Sequence, residues 1–462
     1  MDVKGKKVIV VGLARSGVGA ANLLHRLGAS VTVTDKKKHE ELGPYIEELR
    51  EGIRCELGSH PKELFEAADL VVISPGVPLS IAPLKAAAER GIKIIGELEL
   101  AWQAAGNGKT AFLAITGTNG KSTTTSLLDA ILKKGGYNTL LGGNIGKALT
   151  TAMAGAEGQT SGPHDFFVAE VSSFQLETVH TFKPHGAAIL NITRDHLDRY
   201  ASMQGYIDAK CRIFLNQDQD DFIVLNADDA ATMEIEDRIE RQFSSGRGPS
   251  KFYFSRKQAT AGAYYNNGVI YFELPGFPSF SLHTSAIRIK GVHNIENAMA
   301  ASVMAILSGC GCDAVADALA EFPGLEHRLE FVREIDGIRF INDSKGTNVG
   351  AVIKSLESFD GPVILIAGGR DKDGNFSELR PFIRDKVKAL VLIGEARDKI
   401  RKAIGDSTEI IMEDGLGDAV AKAMELALPG DIVLLSPACA SFDMFRDFEH
   451  RGRQFKEIVA NL

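Results

Sequence analysis

Apolar residues in this chain cluster in short runs separated by helical stretches. The first run, at 7–11, is apolar and largely β-branched; a glycine-bearing turn over 12–19 and a helical pattern over 20–27 follow it. Similar runs recur at 31–34, 70–74 and 93–95. Continuous apolar strands are those buried on both faces, and their alternation with amphipathic helices implies a parallel sheet covered by helices on both sides. A Rossmann-like α/β domain is therefore predicted over 1–98. The rhythm restarts at 111–115 and continues through strands at 166–170, 187–191 and 222–226. Over 251–283 it changes to short alternating runs around Asn-Asn-Gly at 266–268, the mark of a hairpin. A central domain over 99–323 should thus combine a parallel core with a small antiparallel β addition. The Phe-Pro-Gly-Leu break at 322–325 precedes strands at 339–341, 363–367, 389–393 and 432–436, which predict a third domain, Rossmann-like, over 324–462. The whole is an α/β chain of three domains.

The turn after the 111–115 strand reads Thr116-Gly-Thr-Asn-Gly-Lys-Ser-Thr, and a helix is predicted over 123–132. Glycines at such a turn let successive backbone amides face phosphate oxygens. Lys121 could reach the outer phosphates and the Ser122 hydroxyl could ligate Mg²⁺. Ile115 stands where the strict phosphate-loop pattern has its first glycine, so the match is a variant. The plain alternative is an ordinary strand-to-helix turn with a surface lysine. The strand–loop–helix context favours ATP binding and a P-loop ATPase-like central domain, while leaving a kinase, a ligase and a GTPase-like switch open.

Composition narrows the classes. With 52 Lys plus Arg against 60 Asp plus Glu, a net charge of −8 and no basic run, a nucleic-acid partner is not expected. The 462 residues are 44% hydrophobic, ample for a globular core, yet no apolar run is long enough for a membrane span. The opening MDVKGKKVIVVG enters a strand at once and carries no secretory-signal pattern. Cys55, Cys211, Cys310, Cys312 and Cys439 form no CxxC pair, as expected of reduced thiols in a cytoplasmic protein. A cytoplasmic monomer acting on small molecules is the expectation.

Other residues offer chemistry. Glu170 ends an apolar strand, where a carboxylate can hold Mg²⁺ beside a phosphate loop; a surface Glu at a helix start is the alternative. Asp195, His196 and Asp198 fall within four positions after another strand, a set able to bind metal or move protons. Asn294 could be a simple N-cap, and Arg328, Asp343 and Lys345 could be surface ion-pair residues. Gly12-Leu-Ala-Arg-Ser-Gly17 approximates GxGxxG, with Ala14 at the middle glycine and Asp35 following the next strand. Alone it would suggest a dinucleotide site and a nicotinamide-dependent oxidoreductase.

Several segments together resemble the Mur ligase family: the GTNGKST loop, Gly142-Gly-Asn-Ile-Gly, Glu170-Val-Ser-Ser-Phe-Gln-Leu-Glu, Asn191-Ile-Thr-Arg-Asp-His-Leu-Asp-Arg-Tyr, Gly291-Val-His-Asn, Glu326-His-Arg, Asn342-Asp-Ser-Lys-Gly-Thr and Ser436-Pro-Ala-Cys-Ala-Ser-Phe-Asp. The loop is shared with folylpolyglutamate synthases; the Ser-Ser-Phe-Gln-Leu-Glu and Ala-Cys-Ala-Ser-Phe-Asp segments point to the D-glutamate-adding branch. The resemblance implies an ATP-dependent, amide-forming ligase that joins D-glutamate to UDP-N-acetylmuramoyl-L-alanine through an acyl phosphate, in peptidoglycan precursor synthesis. A folylpolyglutamate synthase-like enzyme, or a family member using another amino acid, is the alternative. By resemblance, ATP would meet Gly117, Thr118, Asn119, Gly120, Lys121, Ser122, Thr123, Asn294, Arg328, Asp343 and Lys345. Two Mg²⁺ sites would draw on Ser122, Glu170, His196 and Lys210, the last as a carbamate; Lys121, Glu170, His196 and Lys210 are the implied catalytic set. The UDP substrate would meet Arg15, Ser16, Asp35, Lys36, Ser74, Gly76 and Asn144. Thr347, Lys372, Ser441 and Phe448 would form the D-glutamate pocket.

Overall fold

The computed structural model describes all residues except 107–109, 155–163, 197–198 and 245. Its strands form three sheets, each within one stretch of chain. The first has β1 (Lys7–Val11), β2 (Ser30–Asp35), β3 (Arg54–Leu57), β4 (Leu70–Ile73) and β5 (Lys93–Gly96), all parallel in the order β3-β2-β1-β4-β5. Because β2 and β4 flank β1, the chain leaves the C-terminal ends of β1 and β4 in opposite directions. Ligands of open α/β sheets bind at such a switch point, here beside Gly12–Ser16 and Ser74–Gly76.

The central sheet has nine strands: β6 (Ala111–Thr116), β7 (Thr139–Gly143), β8 (Phe166–Glu170), β9 (Gly186–Ile189), β10 (Phe222–Asn226), β11 (Ser250–Ser255), β12 (Gly262–Asn266), β13 (Val269–Glu273) and β14 (Phe280–His283). Their order is β14-β13-β12-β11-β10-β9-β6-β8-β7. The expected hairpin is present, and β12, β13 and β14 are antiparallel. They extend the parallel sheet through the parallel β11–β12 pair instead of standing apart from it. The core strands are buried throughout, and helices Lys121–Lys134 and Val292–Leu307 cover one face through Leu127, Leu128, Met299 and Val303.

The third sheet comprises β15 (Glu330–Ile335), β16 (Ile338–Asn342), β17 (Val363–Gly368), β18 (Val387–Ile393), β19 (Glu409–Met412) and β20 (Ile432–Leu435). It is ordered β15-β16-β20-β17-β18-β19, with only β15 antiparallel to its neighbour. The helix after β1 begins at Arg15, earlier than the apolar pattern suggested, because Arg15 and Ser16 form a polar first turn.

Two buried glutamates fasten the first unit to the second. Glu97 accepts hydrogen bonds from the amide and hydroxyl of Thr150, both at 2.8 Å. Glu99 accepts from the amides of His180 (2.9 Å), Thr181 and Phe182 (3.0 Å each). Burial pushes the Glu99 carboxyl up, but donation from the Thr181 hydroxyl above all, then from the His180 amide, Gln103 and the Thr181 amide, outweighs it and holds the carboxyl below its ordinary range. Nearby, a Cβ on Gly19 would lie 2.3 Å from Thr151 Oγ1, so the helices Arg15–Arg26 and Leu149–Ala154 meet there at a distance only glycine permits.

Candidate active site

The loop 117–120 joins β6 to the helix Lys121–Lys134. Gly120 has φ 86°, in the left-handed region, and a Cβ there would meet Asn297 Oδ1 at 2.4 Å. The loop is tied to the residues after β9: the Thr118 amide donates to Asn191 O at 2.9 Å and the Asn119 amide to Asn191 Oδ1 at 2.8 Å. Lys121 Nζ folds over the loop, donating to Gly117 O (2.9 Å) and Thr118 O (2.8 Å). Burial lowers its pKa, against the pull of Glu170 and Asp195.

Glu170 is 3% exposed at the end of β8. Its Oε1 accepts from Asn144 Nδ2 at 2.8 Å, whereas its buried Oε2 has no hydrogen-bond partner. Burial opposes ionisation, but the ammoniums of Lys345 and Lys121 outweigh it and keep the carboxyl below its ordinary range. A buried, ionised, half-satisfied carboxylate near a serine hydroxyl fits a hard cation such as Mg²⁺. Among the described residues no group of three His, Cys, Asp or Glu side chains forms a ready-made metal cage.

Lys210 lies on the helix Met203–Cys211 and is 1% exposed. Its Nζ donates to Gly117 O at 2.8 Å and sits 4.6 Å from the Tyr206 ring centroid. Burial, and then the nearby Lys121 charge, push its pKa well below the ordinary lysine value. The shift is towards the neutral amine, the form that can add CO₂. His196, at φ 55°, packs edge-on against Phe174 (4.8 Å) and lies 6.5 Å from the Tyr206 ring, so His196 and Lys210 both border Tyr206. Asp198 lies outside the described residues.

The third unit supplies the opposite wall. Lys345 Nζ donates to Ser122 Oγ at 2.7 Å, and its pKa falls to about 8, mainly through burial. Lys372 pairs with Asp195 at 3.3 Å. Asn348 Nδ2 reaches Asn119 Oδ1 (3.3 Å) and Asp195 Oδ2 (3.4 Å). Asp343 is fixed by the hydroxyls of Ser355 and Ser436, each at 2.7 Å, while burial raises its pKa. Arg328 Nε is buried without a partner. Between these walls lies a cavity of about 380 Å³, lined by Asn119, Gly120, Asp195, Arg328, Asp343, Lys345, Thr347 and Lys372.

Not every expected residue reaches that cavity: Gly117, Thr118, Lys121, Ser122, Thr123, Glu170, His196 and Lys210 stand outside its lining. Asn294 is buried beside it, its Nδ2 donating to Lys290 O and its Oδ1 accepting from Asn297. Ser441 is buried and outside the lining; Phe448 is also outside it, with its ring 5.2 Å from Lys345 Nζ. The N-terminal set gathers at its own switch point. Asp35 accepts from the Leu13 amide at 2.7 Å and Ser74 Oγ donates to Gly12 O at 2.9 Å; Arg15 and Ser16 open the following helix. Lys36 follows Asp35 there, and Gly76 follows Ser74 and Pro75. Sequence reasoning missed Asn191, Asn297, Asn348 and Tyr206. Asn297 was findable, since it lies one helical turn beyond Asn294.

A phosphate loop facing cations on a second α/β unit, with an unsatisfied carboxylate oxygen beside it, defines an enzyme that handles nucleotide phosphoryl groups. Family comparisons resolve the class. Residues 6–96 match the Mur ligase MurD-like N-terminal domain, 115–305 the Mur ligase middle domain and 327–439 the Mur ligase glutamate ligase domain. The chain belongs to the Mur ligase family. It is similar to UDP-N-acetylmuramoylalanine–D-glutamate ligases of Geotalea daltonii (46% identity, 100% of this chain and 99% of the relative) and Pelotomaculum thermopropionicum (44%, 100% and 99%). Solved structures with the same fold include the UDP-N-acetylmuramate–alanine ligase of Thermotoga maritima, with TM-score 0.61, 20% identity and 99% coverage of both chains. A MurF ligase from that organism, in complex with ADP, has TM-score 0.60 and 16% identity, covering 99% of this chain and 96% of its own. Membership in a ligase family removes the oxidoreductase and switch readings. Among the described residues no helix is long and apolar enough to cross a membrane.

Proposed function

We propose that this chain is an ATP-dependent ligase that joins D-glutamate to the L-alanyl carboxylate of UDP-N-acetylmuramoyl-L-alanine. The observation that carries the site reading is the convergence of Lys121, Lys345 and Glu170 around Ser122 at the mouth of the glycine loop. The 44–46% identity to ligases of that name over the full chain supports the substrate pair.

In this reading the triphosphate sits on the amides at the start of the helix Lys121–Lys134, since those of Thr118 and Asn119 already donate to Asn191. Lys121, Lys345 and Arg328 offset the charge that develops on the transferring phosphoryl group. The substrate carboxylate attacks the γ-phosphorus, giving an acyl phosphate and ADP; the amine of D-glutamate then attacks the acyl carbon and phosphate leaves. Ser122 and Glu170 would hold one Mg²⁺, and His196 with a carbamate on Lys210 a second. The metal would supply charge neutralisation and orientation of phosphate oxygens. Lys372, Thr347, Ser441 and Phe448 receive D-glutamate, the ammonium and hydroxyls meeting carboxylates and the ring packing on methylenes. Asn294 and Asp343 flank the nucleoside end. Arg15, Ser16, Asp35, Lys36, Ser74, Gly76 and Asn144 serve the UDP-sugar. Contacts such as Lys372–Asp195 and Lys345–Ser122 close the third unit over the loop, which keeps water from the acyl phosphate. In this reading the enzyme acts as a monomer, and its soluble nucleotide substrates suit the cytoplasm.

The test is ADP release by purified protein with UDP-N-acetylmuramoyl-L-alanine and, in turn, D-glutamate, L-glutamate, L-lysine and L-alanine. Release should require the nucleotide sugar and D-glutamate together. Faster turnover of L-glutamate with a folate would overturn the substrate assignment.

A further inference from the structure

Arg199 stands at the junction of the first and central units, away from the ATP loop. Its Nη1 donates to Pro75 O at 3.0 Å, and its Nη2 pairs with Glu177 at 2.7 Å. The guanidinium carbon lies 4.1 Å from the centroid of the Phe174 ring. That ring touches His196 edge-on at 4.8 Å and stacks with Tyr200 at 6.0 Å. The side chain is 22% exposed and Glu177 18%, so the pair is largely shielded from solvent. Pro75 belongs to the turn after β4, where Ser74 Oγ holds Gly12 O and the Val77 amide closes on Ser74 O at 3.0 Å. One planar group thus grips the 74–77 turn, the acidic end of the 170–177 segment and the aromatic ring backing His196.

We propose that Arg199 is a positioning residue that fixes the 74–77 turn against the central unit, so that the nucleotide sugar, once seated at the N-terminal switch point, presents its carboxylate to the phosphate loop. The inference rests on the reading that this turn and the Gly12 loop receive the UDP-sugar. Two features favour positioning over a surface ion pair. Arg199 spans two α/β units: it holds the turn that carries Ser74 and Gly76, assigned to the nucleotide sugar, against the segment that begins at Glu170. The fork geometry is also specific: a lysine carries the charge but cannot reach a carbonyl and a carboxylate at once while stacking on Phe174.

The test uses the full chain and three variants, Arg199→Lys, Arg199→Met and Glu177→Gln, each first checked for an unchanged melting temperature. Steady-state kinetics give KM for ATP, D-glutamate and UDP-N-acetylmuramoyl-L-alanine separately, and calorimetry gives direct binding of the nucleotide sugar. Both Arg199 variants should raise KM and Kd for the nucleotide sugar tenfold or more and leave KM for ATP within twofold. Glu177→Gln should give a smaller change of the same kind. If the wild type binds the nucleotide sugar and the variants bind it within twofold, the positioning role is overturned. If all three KM values rise together, Arg199 is merely structural and the proposal also fails. If a Gly12→Ala variant, altered at the loop itself, binds the nucleotide sugar as well as wild type does, the underlying reading of the N-terminal site fails instead.

Discussion

Replacing Gly120 with alanine tests the phosphate loop at its most constrained point. Gly120 has φ 86° and ψ −19°, and an L-residue held there costs about 1–2 kcal/mol. The added Cβ also falls 2.4 Å from Asn297 Oδ1, so Asn297 must move. That side chain accepts from Thr124 Oγ1 at 3.1 Å and donates to Asn294 Oδ1 at 3.1 Å, and Asn294 in turn donates to Lys290 O at 2.8 Å. Displacing one member of a buried chain of this kind leaves polar groups unpaired, at about 1–3 kcal/mol. Together the two terms come to about 2–5 kcal/mol, or at least a tenfold loss of ATP affinity if the loop takes the strain. Calorimetric titration with ATP reads the affinity and thermal melting shows how much of the cost falls on folding. The double variant Gly120→Ala/Asn297→Ala removes the clashing oxygen, so it should be only about 1–2 kcal/mol worse than Asn297→Ala alone. ATP binding within threefold of wild type with an unchanged melting temperature, or strict additivity in the double variant, would refute the argument.

Two further outcomes follow from the site. Lys372→Ala should raise KM for D-glutamate by about ten- to a hundredfold, the worth of one charge-assisted hydrogen bond, with KM for the nucleotide sugar unchanged; equal effects on both substrates would count against its assignment. Burial, reinforced by Arg328 and Lys354, depresses His293 to about 3. The unfolded chain, with an imidazole near 6.5, then binds more protons than the folded one, so stability is full above that pH and falls as pH drops towards 3. Between pH 6.5 and 5 the loss from this group is about 2 kcal/mol, and His293→Gln should remove that part of the slope in denaturant titrations. Parallel curves for the two proteins would refute it.

The strands visible in the sequence were those buried on both faces, such as β1, β4, β6, β8, β17 and β20, which are apolar except at an end residue such as Lys7, Thr116 or Glu170. The strands that went unread, β3, β7, β15 and β19, all lie at sheet edges. Edge strands leave one side to solvent, so β3 and β15 mix exposed and half-buried positions and lose the continuous signature. The site divides in a similar way. Lys121, Ser122 and Glu170 could be read because the loop and its neighbouring strand end place them by local rules. Asp195–Lys372 and Lys345–Ser122 could not, because each joins residues 177 or 223 positions apart. Motifs can put both partners on a shortlist, but only the packed structure shows which cation meets which oxygen.

These long-range pairs bear on why three units are used where one loop could hold a nucleotide. Lys121, Lys345, Arg328 and Lys372 bring four cations towards a region whose nearest carboxylates are Glu170, Asp195 and Asp343. The carboxylates do not satisfy the cations fully: Arg328 Nε is orphaned, and Lys345 rests on a neutral hydroxyl with its pKa lowered to about 8. A triphosphate delivers the missing negative charge to the place where cations of the central and third units face each other. On the proposed function, docking of the third unit and binding of the nucleotide would stabilise each other, because each supplies what the other leaves uncompensated. The carboxylate of the nucleotide sugar would, on the same proposal, come from the side of the N-terminal switch point, across a junction braced by Glu97, Glu99 and Arg199. In that proposed function the braced junction sets where the acid waits, and the third unit docked over the loop shields the water-sensitive acyl phosphate that forms there.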